Sequence, residues 1–208
     1  MELTFDNSIE IIKLILTVGI FITSLVYGNQ LSAKWSLKQK RKELHYRATE
    51  ELFQIYGEFF ALWKKWNFYL KHRKVVKDEE IELFHKEACE IEGKAESLIL
   101  RVCSQFELDD QIIQDLGLLR QAFQTFREQI RYDLEIPWRS SDDPAYFEFK
   151  KLVIKLGTFI SNQDLENTNA SQNSKDAIIK ITSNENEKKW LEIQNSKKHN
   201  EPLTMGNK

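Results

Sequence analysis

The chain has 208 residues, 30 basic and 32 acidic side chains and a net charge of −2, a balance that argues neither for nor against a nucleic-acid partner. Three prolines and seven glycines leave long uninterrupted stretches suited to helix, and two cysteines, Cys89 and Cys103, read as free thiols rather than a disulfide. No Gly-rich phosphate loop, G-x-S-x-G, CxxC or HExxH is present, so the commonest hydrolytic and metal-dependent machineries are poorly represented.

Residues 1–8 are a short polar lead. Ile9 to Tyr27, IEIIKLILTVGIFITSLVY, follows, and Leu14 to Tyr27 carries no charge. A helix needs roughly 20 apolar residues to cross a bilayer core of about 30 Å, so residues 9–28 are expected to be a single transmembrane helix. Glu10 and Lys13 interrupt its first turns, where a lysine stem can carry its ammonium to the interface. A cleaved signal peptide wants a basic start and a small-residue cleavage site. Glu2, Asp6 and Glu10, and the triplet Val26-Tyr27-Gly28, supply neither, which favours a retained anchor.

Lys34, Lys38, Lys40, Arg41 and Lys42 follow the span, and only Lys13 precedes its charge-free part. Basic flanks stay on the cytoplasmic side, so the expected placement is the cell (inner) membrane, N-terminus outside, body in the cytoplasm. The same cluster suits anionic lipid headgroups. Glu10, Thr17 and Ser24 recur every seven residues, Lys13 lies one turn from Thr17, and Gly19/Thr23 and Ser24/Gly28 are small-xxx-small pairs. Two readings are open: an ordinary Ser/Thr content with charges at the span's end, or a polar, self-associating face.

Ser32 to Val76 reads as one very long helix of about 68 Å, with an apolar stripe of Leu37, Leu44, Ala48, Leu52, Ile55, Phe59, Leu62, Trp66 and Tyr69. Gly28-Asn29-Gln30 is either a brief break before it or part of one continuous helix. Phe60, Trp63 and Phe68 widen the stripe, as core or as an oligomer interface. The run Lys71-His72-Arg73-Lys74 suits a helix C-terminus. Asp78 is expected to cap the next helix, whose Ile81, Phe84, Ala88, Ile91, Ala95, Leu98 and Val102 form a heptad seam. A third helix from near Asp109 repeats it with Ile112, Leu116, Leu119, Phe123, Phe126 and Ile130, joined to the second as an antiparallel hairpin. After a loop at 135–142, Asp143-Pro144 starts a fourth helix with Tyr146, Phe149, Val153, Leu156 and Ile160 inside. Residues 162–208 read as a polar, partly disordered tail, with an apolar island at 177–181 of unresolved type and a turn around Trp190 that could dock.

Charge is unevenly distributed. Residues 32–77 hold 12 basic and 4 acidic side chains, residues 78–135 hold 6 and 15. Either the two stretches pack as complementary helices, or the basic one faces lipid or nucleic acid. The single E-x-x-H at Glu82–His85, with Cys89 one turn on, lacks further ligands and reads as a solvated flank, so no metal or cofactor is expected.

Arg41 and His45 form an R-x3-H pair on a helix. A helical body carrying Arg and His in this way resembles the HEPN ribonuclease superfamily, whose motif is R-x4-6-H. Here the gap is three residues, and Lys42 follows Arg41 where that family has a polar residue. The resemblance implies Arg41 and His45 as catalytic candidates toward RNA phosphate. The order of parts over residues 9–160 is similar to small single-span accessory or effector proteins of bacterial antiviral systems, including the type VI CRISPR accessory group with a HEPN-like body. That likeness implies a body that self-assembles and spans that act on the membrane.

The expectation is therefore an all-α chain: polar lead 1–8, anchor 9–28, cytosolic up-down helical bundle 29–161 with one very long first helix, tail 162–208. It is read as a non-enzymatic, self-associating membrane protein that perturbs or permeates the bilayer, with Glu10, Lys13, Thr17 and Ser24 as the polar face and membrane lipids and copies of itself as partners. The alternatives are a membrane-tethered RNA-binding or RNA-cleaving bundle, and a scaffold for a protein partner.

Overall fold

The computed structural model describes residues 5–72, 78–132, 134, 136, 143–162 and 174–196, with side chains described from Lys13 onward. The polar lead through residue 4, the Glu10 side chain, Arg73 and Lys74, the Asp78 side chain, the loop at 137–142 and the polar stretch 163–173 lie outside that description. All regular structure among the described residues is helical: α1 (Phe5–His72), α2 (Asp78–Gln105), α3 (Asp110–Arg131), α4 (Pro144–Asn162), α5 (Ser174–Ile181) and α6 (Asn184–Asn195). The chain divides into two compact units, residues 1–44 and 45–208.

The first unit holds the early part of α1. Gly28-Asn29-Gln30 does not break the helix. From Lys13 to Lys40 every side chain is exposed. Leu37 and Leu44, expected on the buried stripe, are 59% and 48% exposed. Helical spacing alone does not bury a side chain, because burial needs a partner surface. The bundle thus begins at residue 45 rather than 29, with Ala48 its first buried residue.

The second unit is a helical bundle around aromatic side chains. Phe59 of α1 packs on Phe126 at 4.5 Å and Phe123 at 5.6 Å between ring centroids, and on Phe149 of α4 at 4.6 Å. Edge and tilted contacts of this kind suit ring quadrupoles. Trp66 meets Phe84 of α2 at 5.4 Å, and its indole N–H donates to the Leu134 carbonyl at 3.3 Å. The rings of α1 thus reach both α2 and α4.

Ion pairs give the register. Glu51 pairs with Arg101, Glu58 with Lys94 at 2.7 Å and Lys65 with Glu87 at 3.2 Å. Numbers rise along α1 as they fall along α2, so these helices run antiparallel. Arg120–Glu96 and Arg127–Glu92 set the same sense for α3 on α2. The caps explain the starts: Asp109 accepts from the Ile112 N–H at 2.7 Å, and buried Asp143 from the Ala145 N–H at 3.0 Å.

The bundle does not stop at residue 161. The apolar island is helix α5, and Trp190 sits in the twelve-residue helix α6. Ala177, Ile181 and Trp190 join the core. Asn186 fastens the hairpin: its side-chain amide donates to the Lys180 and Ile181 carbonyls at 2.8 and 2.9 Å, satisfying the open end of α5. Gly117 of α3 lies beneath it, and a methyl there would collide with the Asn186 side-chain amide. Composition reads this segment as a polar tail because only a few of its side chains face inward, too few for periodicity to register.

Candidate membrane segment and basic flank

The early part of α1 is long and apolar enough to cross a membrane by length and composition. Leu14, Ile15, Leu16, Ile20, Phe21 and Ile22 are each more than half exposed, and none of this stretch is buried against protein. A helix of this composition in a soluble protein is normally a core helix; this one is bare.

Two of its polar side chains are satisfied within the helix itself. The Thr17 hydroxyl donates to the Lys13 carbonyl at 2.8 Å and the Thr23 hydroxyl to the Gly19 carbonyl at 2.7 Å. Each threonine answers its own donor within the helix, the arrangement that lets hydroxyls sit in lipid. Lys13, Thr17 and Ser24 share one side by helical geometry, and all three are exposed. A Cβ added at Gly19 or Gly28 meets nothing within 4 Å, so the small-residue positions are open.

Lys34, Lys38, Lys40 and Lys42 are exposed and have no carboxylate partner among the described residues. Arg41 is half-buried and engaged within the protein. Tyr27 and Trp35, both 64% exposed, stand at the end of the apolar stretch and inside the basic flank. Amphipathic rings favour the headgroup level. Trp35 escaped the sequence reading, which followed the lysines, although the aromatic-belt rule points to it.

The charge asymmetry does not resolve as one basic helix on one acidic helix. Two of the three α1–α2 pairs use the carboxylates of α1 and the bases of α2. The acids of α2 turn instead to α3, through Arg120 and Arg127. Burial raises the Glu92 pKa above the usual carboxylate range, opposed by the Arg127 guanidinium at 2.9 Å. The lysines that precede the bundle remain available.

His45, the second catalytic candidate, is half-buried with its ring 4.9 Å from that of Phe106, a packing contact. Arg41 falls in the other unit. His85 Nε2 lies 3.8 Å from Cys89 Sγ, but no group of three or more metal-ligating side chains occurs among the described residues. An open groove of about 500 Å³ runs along α3, α4 and α6 beside Leu118, Glu148, Lys189 and Ile193. No family model, no curated protein and no solved structure matches this chain.

Proposed function

We propose that this chain is a single-pass membrane protein, N-terminus outside and helical bundle in the cytoplasm, that self-associates and perturbs or permeates the bilayer when assembled. The observation that carries the reading is the bare apolar stretch of α1. Nine exposed aliphatic and aromatic side chains between Leu14 and Val26, at about 1.5–3 kcal/mol for full removal from water, make transfer into lipid favourable on the order of 10 kcal/mol. The exposed lysines after the span set the orientation and hold anionic headgroups. Clustered spans would shelter Lys13, Thr17, Ser24 and Glu10 from lipid, which a lone span does not.

Dye release from liposomes tests the membrane effect. Wild type is expected to release dye, and Lys13→Leu or Thr17→Leu to insert but not release it. Equal leakage from both variants removes the polar face from the reading. The RNA-binding alternative rests on the same free lysines. It calls for RNA affinity that falls steeply with salt and cleavage that His45→Ala abolishes. Absence of RNA binding at low salt removes it. The scaffold alternative calls for a tight complex with another protein and an inert membrane.

A further inference from the structure

The bundle leaves two helix faces uncovered, and their heights match. Through α1, both α2 and α4 can be placed on one scale. Lys65, Glu58 and Glu51 mark Glu87, Lys94 and Arg101 on α2. Trp63 stacks on Tyr146 at 4.9 Å, the Phe59 ring packs tilted against Phe149 at 4.6 Å, and Phe53 lies over Gly157. Tyr146 therefore stands level with position 89 of α2 and Phe149 with position 93, so α2 and α4 run parallel. Each touches both α1 and α3, through the contacts above and through Phe123–Phe149 at 5.4 Å, which sets them at opposite corners.

On α4 the outward face carries Phe147 and Ile154, 59% and 62% exposed, seven residues apart. Between them the Lys150 ammonium lies over the Tyr146 ring at 4.9 Å, which brings it down to the level of positions 89–90 of α2. At those heights the outward face of α2 presents Glu90, Gly93 and Ser97, all exposed. A methyl added at Gly93 meets nothing within 4 Å. Glu90 has no cationic partner among the described residues. On this scale Phe147 and the Lys150 ammonium stand level with Glu90, and Ile154 with Ser97: one face offers two apolar side chains and a cation, the other an anion followed by two small positions.

The geometry points to a second copy of this chain as the occupant: the α4 face (Phe147, Lys150, Ile154) docks on the α2 face (Glu90, Gly93, Ser97) of the next copy. Since α2 and α4 run parallel at matched heights within the bundle, the two faces meet between bundles lying side by side in the same sense. The contact joins different faces, so it is head-to-tail and extends beyond a dimer, into a ring if it closes. It rests on the self-association proposed above and specifies its surface.

The test is thiol cross-linking of the full-length protein in mild detergent, with Cys89→Ser as background and mass measured by light scattering. Ser97→Cys with Ile154→Cys in one chain is expected to give a ladder running past dimer, and neither cysteine alone to give a cross-linked product. Glu90→Lys is expected to lower the assembled mass, and Lys150→Glu added to it to restore the mass, a rescue that a misfolded variant does not show. A large assembly with no ladder, or a dimer from Ser97→Cys alone, overturns this contact while leaving self-association standing. A monomeric mass overturns both.

Discussion

At the residue scale the consequences follow from burial. Cys89 is exposed and Cys103 is buried, with burial pushing its thiol pKa up to about 11. Since the thiolate is the reactive form, a thiol reagent is expected to label Cys89 within minutes and Cys103 only after denaturation. Simultaneous labelling of both in the native protein would contradict the packing of α2. Burial also raises the Glu92 pKa, so the folded state binds a proton more readily there than the unfolded chain. Linkage then requires this group's contribution to decline as pH rises through its folded pKa. Glu92→Gln is expected to flatten that part of the stability-versus-pH curve, read by thermal melts of the full chain from pH 4 to 8. At Gly117, alanine must displace the Asn186 amide that closes the α5–α6 turn. Overpacking of this kind costs about 1–3 kcal/mol. Gly117→Ala is expected to lower the melting temperature and to alter the fluorescence of buried Trp190; unchanged values would mean that α6 is not seated on α3.

At the element scale, what could be read from residues alone follows from how many positions repeat. The seams of α2 and α3 are unbroken heptads, and their buried sets, Ala88 to Val102 and Ile112 to Ile130, lie in the core. Asp109 and Asp143 cap because their side chains sit one residue before a helix begins. α5 and α6 were only partly legible, since Ala177, Ile181, Asn186 and Trp190 are too few and too spread to form a pattern. The upper end of the bundle misled for the opposite reason: Leu37 and Leu44 keep the period but have nothing to pack on. The candidate site was legible as composition, an apolar run and then lysines. The in-helix bonds of Thr17 and Thr23 are local rotamer choices within α1, whereas the uncovered faces of α2 and α4 depend on tertiary placement, which no spacing encodes. Within the core, Phe59 joins α1, α3 and α4. Phe59→Ala is expected to destabilise the bundle by about 3–5 kcal/mol, read as a shifted denaturant midpoint with an unchanged slope. A loss under 1 kcal/mol would place the centre of the core elsewhere.

At the scale of the whole molecule, an exposed apolar helix stretch followed by lysines with no carboxylate partner among the described residues belongs to a chain whose second unit is a well-packed bundle with its own core. The two parts have different solvents in this reading, and the division at residue 45 separates the segment that lipid covers from the one that buries its own side chains. The most direct measurement is alkaline carbonate extraction of membranes containing the full-length protein, combined with protease added from either side. The protein is expected to stay in the pellet, and the bundle to be cut only by protease on the cytoplasmic side. Release into the supernatant would mean that the stretch from Leu14 to Tyr27 finds its cover in protein rather than lipid, and would overturn the membrane reading at its root.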